Sequence, residues 1–140
     1  MFRHWLPNIP DMSAPTPMMA QYLGMRKSLP ADIILFYRLG DFYEMFFDDA
    51  KTAAPIMNVA LTKRGGTPMC GVPYHAAQNY IARLLKAGKR VAIAEQTSEA
   101  VPGKLVDREI ARILTAGSID DLTLLDDQRP NYLAALSKVG

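Results

Sequence analysis

Apolar positions along the chain fall into short blocks whose spacing changes from helical to extended and back several times. Met18, Met19, Tyr22 and Leu23 recur on one face, the spacing of an amphipathic helix. Thr16 before Pro17 supplies its start, a hydroxyl N-cap with proline at the first helical position, where a missing N–H costs nothing. This helix is predicted to end near Leu29-Pro30. The apolar run over 33–38 predicts a strand buried on both faces, and Gly40 then turns the chain. Next come Asp41, Phe42, Tyr43, Glu44, Met45, Phe46, Phe47, Asp48 and Asp49, which hold four aromatics and four acids. Asp41 reads as an N-cap and Glu44 as its capping-box partner, so a helix is expected from Asp41 to about Ala54, stopped by Pro55.

Residues 59–62 and 69–72 read as strands on either side of a basic loop, Lys63-Arg64-Gly65-Gly66-Thr67-Pro68, whose glycine pair and proline suit a hairpin-like connection. Over 76–87 an amphipathic helix is expected, with Tyr80, Ile81, Leu84 and Leu85 inward. Gly88 is its stop, and Lys86 and Lys89 lie near its negative end. Two more strands are expected at 91–94 and 110–114. Together these elements predict an α+β domain, a mixed β-sheet flanked by helices, over residues 16–117. Residues 1–15, with three prolines and no periodicity, read as a mobile leader. Residues 118–140 read as a linker into a second, truncated domain.

Composition narrows the class. The chain has 140 residues, 49% of them hydrophobic, enough for one core of ordinary size. A net charge of +2 is too small to announce a nucleic-acid partner by itself, but its distribution is uneven. Residues 58–94 carry six basic side chains and no acid, so one part of the surface is expected to be positive. A lone cysteine, Cys70, excludes an internal disulfide framework and fits a reducing, cytoplasmic location. No transmembrane run or signal peptide is read in the sequence, and a soluble intracellular protein is expected.

No enzymatic constellation emerges from the spacing. His4 and His75 are the only histidines and have no paired nucleophile, and Gly103-Lys104 lacks the glycine and the Ser or Thr of a phosphate loop. Asp41, Glu44, Asp48 and Asp49 could hold Mg²⁺ against DNA, which keeps a nuclease-like alternative open. Taken singly, Phe42 reads as core, Glu44 as a cap and Lys63-Arg64 as a solvated turn.

Five ordered segments carry a resemblance. They are Thr16-Pro17-Met18-Met19 with Gln21-Tyr22-Leu23, the run from Leu35 through Gly40-Asp41-Phe42-Tyr43-Glu44, Leu61-Thr62-Lys63-Arg64-Gly65, Gly71-Val72-Pro73-Tyr74-His75-Ala76, and Val91-Ala92-Ile93-Ala94-Glu95-Gln96. In this order they resemble the N-terminal domain of the MutS family of DNA mismatch-recognition proteins, over about Thr16 to Gly117. Phe42-Tyr43-Glu44 matches the family's Phe-x-Glu motif. The tail from Asp120 looks like the start of the family's connector domain.

The resemblance implies that Phe42 inserts from the minor groove beside a mispair and that Glu44 hydrogen-bonds the displaced base. Unstacking is easiest where pairing is already defective, and a carboxylate near phosphates penalises binding when its bond is not made. It also implies phosphate contacts from Lys63 and Arg64, a shaping role for Leu39 and Asp41 beside the wedge, and a place near DNA for Met69. The Gly65-Gly66-Thr67 segment is shorter than is common in bacterial members. No catalytic residue, metal or cofactor is expected in this fragment. A larger DNA-dependent ATPase is implied around it, with ATP and Mg²⁺ bound C-terminal of residue 140, a homodimer, and a MutL-like protein and a sliding clamp as partners. A nucleoid-associated bacterial location and no membrane follow from the same resemblance.

Overall fold

Helix α1 (Pro17–Lys27) begins where the Thr-Pro pair places it, in a computed structural model that describes residues 15–118. The Thr16 hydroxyl accepts from the Met19 N–H at 3.2 Å, the bond that makes an N-cap. The leader expected over 1–15 lies outside the described residues except for its last position, and the expected linker over 118–140 lies outside them except for Ser118.

Six strands follow: β1 (Ile33–Leu39), β2 (Phe42–Phe46), β3 (Thr62–Arg64), β4 (Thr67–Pro73), β5 (Arg90–Gln96) and β6 (Arg108–Leu114). They form one sheet in the order β3-β4-β2-β1-β5-β6, in which β1 and β5 are parallel and every other pair is antiparallel. Helices α2 (Phe47–Met57) and α3 (Ala77–Lys86) complete the α+β fold that the sequence predicts.

Strand alternation divides the core into two layers. Ile34, Phe36, Tyr43, Met45, Val72, Val91 and Ile93 face α2 and α3. Ile33, Leu35, Tyr37, Phe46, Ala92 and Ala94 face Tyr22 of α1. Tyr22 packs edge-on to Tyr37 and Phe46, with ring centroids 5.5 and 4.9 Å apart. Helix α1 covers Phe46 at the far end of β2, while Phe42, Thr62 and Arg64 on the same face stay exposed.

The helix expected over 41–54 is corrected. Residues 42–46 form strand β2, with Gly40 and Asp41 as the two-residue loop of a hairpin. Gly40 has φ +61°, which suits a glycine-first loop of that length. Asp41 is therefore a turn residue and Glu44 a strand residue, so their spacing imitates a capping box without forming one. Helix α2 starts directly after β2, with the left-handed backbone of Phe47 (φ 55°) making the change of direction. It passes through Pro55 and ends at Asn58, whose αL conformation closes it.

The basic loop is corrected too. Lys63 and Arg64 belong to β3, and only Gly65 and Gly66 turn the chain, at φ 57° and 84°. Two positive values in succession are what a type I′ hairpin demands. Pro68 stands within β4 opposite Lys63, a pair that makes no ladder bonds in a two-residue hairpin. Its missing N–H falls on the side where β2 has already left the sheet, since the last β2–β4 pair is Phe46 with Met69. Among the described residues, no helix is long and apolar enough to cross a membrane.

Candidate nucleic-acid interface

The tip of the β1–β2 hairpin is held from behind. Arg38 donates from Nε to the Gly40 carbonyl at 2.6 Å and from Nη1 to Glu95 at 3.0 Å. Its guanidinium lies 3.7 Å from the centroid of the Tyr74 ring, and the Tyr74 N–H donates to the Asp41 carbonyl at 2.8 Å. The Tyr43 hydroxyl donates to the other oxygen of Glu95. These contacts fix the turn on the α3 side while leaving the opposite side free.

On that free side stands Phe42, 45% exposed. An exposed phenyl ring on a braced strand end has no partner in the core to explain it. Leu39 lies directly across the hairpin from Phe42, half-buried, and Asp41 is exposed in the turn.

Two residues further along β2 the same face carries Glu44, only 6% exposed. Arg64 donates to it in a fork, Nε to Oε1 at 2.9 Å and Nη2 to Oε2 at 2.8 Å. A bidentate pair of this length is the strong form of a carboxylate–guanidinium contact. Phe42, Glu44, Arg64 and Met69 line a shallow depression of about 400 Å³ together with Ala60, Thr62 and Gly71. The Thr62 hydroxyl lies 2.9 Å from the sulfur of Met69, which holds that half-buried side chain in the floor.

Four expected site residues are thus brought together, and Leu39 and Asp41 flank them. Lys63 is separated from them: by strand alternation it points to the opposite face from Thr62 and Arg64. Gly71, Thr62 and Ala60 were not foreseen. The signal for Gly71 was its place inside an apolar strand, where a missing side chain marks a close approach. A Cβ there would sit 3.4 Å from Cγ of Glu44 and 3.9 Å from Cε of Met69, inside the depression.

The carboxylates of the nuclease alternative are dispersed. Glu44 is taken by Arg64. Asp49 is 5% exposed, accepts the Leu35 N–H at 2.9 Å and lies 3.4 Å from Arg26, and burial pushes its carboxyl above the usual range. Among the described residues no three His, Cys, Asp or Glu side chains gather in a way that could hold a metal ion. These residues do not fit a magnesium site, and the nuclease reading is not favoured.

Fold and depression define a small α+β domain that displays an aromatic ring beside a buried carboxylate paired with a half-exposed guanidinium. The chain belongs to the MutS family: residues 16–123 match the family model for MutS domain I. It is 54% identical over 121 residues to a protein of Treponema denticola named DNA mismatch repair protein MutS. To a protein of the same name from Leptospira interrogans it is 53% identical over 123 residues. In both comparisons 86% of this chain is covered, and the chain spans about 14% of the length of the curated relatives it matches.

Proposed function

We propose that this domain reads mispaired or looped duplex DNA for mismatch repair, with Phe42 as the inserted wedge and Glu44 as the group that bonds the displaced base. The observation that carries this reading is the pairing of an exposed Phe42 with a sequestered Glu44 on one sheet face, in a member of the MutS domain I family. A ring entering from the minor groove must unstack a base step, which costs a few kcal/mol in sound duplex and less at a defective pair. Discrimination then follows from the DNA: the wedge enters where the duplex is already weak. A carboxylate set two residues behind the wedge adds a second test, because it repels phosphates unless a base donor reaches it.

Residues 16–117 are the recognition unit in this reading, and 118–140 lead into a connector. The rest of the protein supplies an ATPase with its Mg²⁺, a homodimer that closes around the duplex, and contacts with a MutL-like protein and a sliding clamp, at the nucleoid in the bacterial cytoplasm. The described residues contribute no chemistry to nucleotide turnover.

The test is binding of the full-length protein, wild type and Phe42→Ala, to a G·T-mispaired and a matched duplex of otherwise equal sequence at one salt concentration. Loss of most of the mismatch preference with little change in matched binding is the expected result. Preference that survives the loss of the ring would remove Phe42 from the role.

A further inference from the structure

Six cations without an intervening acid suggest a phosphate-binding strip, but the structure gives Arg64 another occupation. Its side chain is 48% exposed, yet two of its five N–H donors turn inward onto a carboxylate that is almost wholly buried. Arg83 and Arg90 are also engaged within the protein, on the Met57 carbonyl and on Asp32.

We infer that Arg64 acts as a positioning residue for Glu44, setting the carboxylate for the displaced base, and that a phosphate contact is not its main role. This rests on the reading of Glu44 given above. A carboxylate offers about four lone-pair sites on its two oxygens, and the fork occupies one on each. Two sites remain on a carboxylate that lines the depression beside Phe42. The guanidinium has only donors, so both oxygens are held as acceptors, and the base that suits the site presents an N–H or amino donor. Planarity matters here. The fork fixes the carboxylate plane as well as its charge, which an ammonium group cannot do.

Gly71 leaves room beside the arrangement. It stands beside Glu44 in the sheet, and a side chain there would fill the space above the Glu44 stem. The type I′ turn at Gly65-Gly66 sets Arg64 at the mouth of the same depression.

The experiment measures dissociation constants of the full-length protein for mispaired and matched duplexes over a range of salt, for wild type, Arg64→Lys, Arg64→Ala, Glu44→Ala and the Glu44→Ala/Arg64→Ala double variant. A positioning role predicts that Arg64→Lys and Arg64→Ala both lower the mispaired-to-matched ratio by about tenfold, the scale of one charge-assisted hydrogen bond. In Arg64→Lys, which keeps the charge beside Glu44, matched binding and its salt slope stay as in wild type, and Arg64→Ala has no further effect once Glu44 is gone. The inference is overturned if Arg64→Ala weakens both duplexes alike and lowers the salt slope by about one while Arg64→Lys restores both, the behaviour of a phosphate contact. It is also overturned if Glu44→Ala loses discrimination but Arg64→Lys and Arg64→Ala keep it. Should Glu44→Ala itself discriminate as wild type does, the role given to Glu44 fails and the inference fails with it. Arg64→Lys keeps the charge at a half-exposed position, so a folding defect in Arg64→Ala leaves the comparison intact.

Discussion

The backbone N–H of Leu35 ends on Oδ2 of Asp49, 2.9 Å away, in the place where a strand would otherwise stand. The register that pairs Tyr37 with Glu44 would set Leu35 opposite Phe46, but pairing with β1 stops at Tyr37 and Glu44, and β2 stays paired only with β4 as far as Phe46, where α2 begins. The Phe46 carbonyl, the other half of the unmade pair, faces the Tyr22 hydroxyl at 3.4 Å. Two side chains thus complete a ladder that the backbone abandons, as buried peptide groups require.

Asp49→Ala is therefore expected to destabilise the chain by about 2–4 kcal/mol, since it strands a buried N–H and removes the partner of Arg26. Asp49→Asn keeps an acceptor for Leu35 and escapes the burial of a charge, so its loss should be about 1 kcal/mol. Urea denaturation ranks the two variants, and hydrogen exchange at the Leu35 amide locates the effect.

Arg38 braces the β1–β2 turn through three different contacts, so Arg38→Ala should cost about 2 kcal/mol. Faster exchange of the Tyr74 amide, whose bond to Asp41 closes the same turn, is the local readout. Mismatch preference should fall in the same variant although Arg38 lies behind the face that carries Phe42.

Gly71→Ala places a methyl group in ordinary contact with Glu44 and Met69, so its melting temperature should stay close to that of wild type. The same methyl group raises the floor of the depression, and the mispaired-to-matched binding ratio should drop. Gly71→Val should lose more of both, because its added carbons must displace the Glu44 stem or Met69.

Alkaline solution should weaken the fold. Burial pushes the Cys70 thiol up to about 11 and raises the hydroxyls of Tyr22, Tyr37 and Tyr43 above the ordinary tyrosine value. Unfolded, the same groups release protons at about 8.5 and about 10. The native state then binds more protons than the unfolded state, so stability present below about pH 8.5 declines as pH rises. Urea midpoints between about pH 7 and pH 10 should fall monotonically, and Cys70 should resist a thiol reagent until the chain unfolds.

Much of this architecture was legible in the residues. Thr16-Pro17 marked the start of α1, the apolar block after Asp32 marked β1, and Gly88 marked the end of α3. The segment after Gly40 misled for a physical reason. Strand β2 is covered by helices on one face and carries Phe42 and Glu44 on the other, so apolar and polar residues do not alternate along it. Its acids and aromatics fall instead at spacings of three and four, which imitate a helix. Arg64 looked like a loop cation because Gly-Gly announces a turn, and no local pattern can show that its fork closes on a carboxylate twenty positions earlier. The motif pair Phe42 and Glu44 was found through resemblance, and Gly71 became visible only with the register.

Both hairpins that carry the site close through two residues each, Gly40-Asp41 and Gly65-Gly66, with nothing longer to settle. A binding surface built this way has little conformational freedom to surrender when a partner arrives. On the reading proposed above, the bending and the lost stacking then fall on the duplex, and DNA that is already locally loose meets a rigid template while a sound duplex must be deformed to match it.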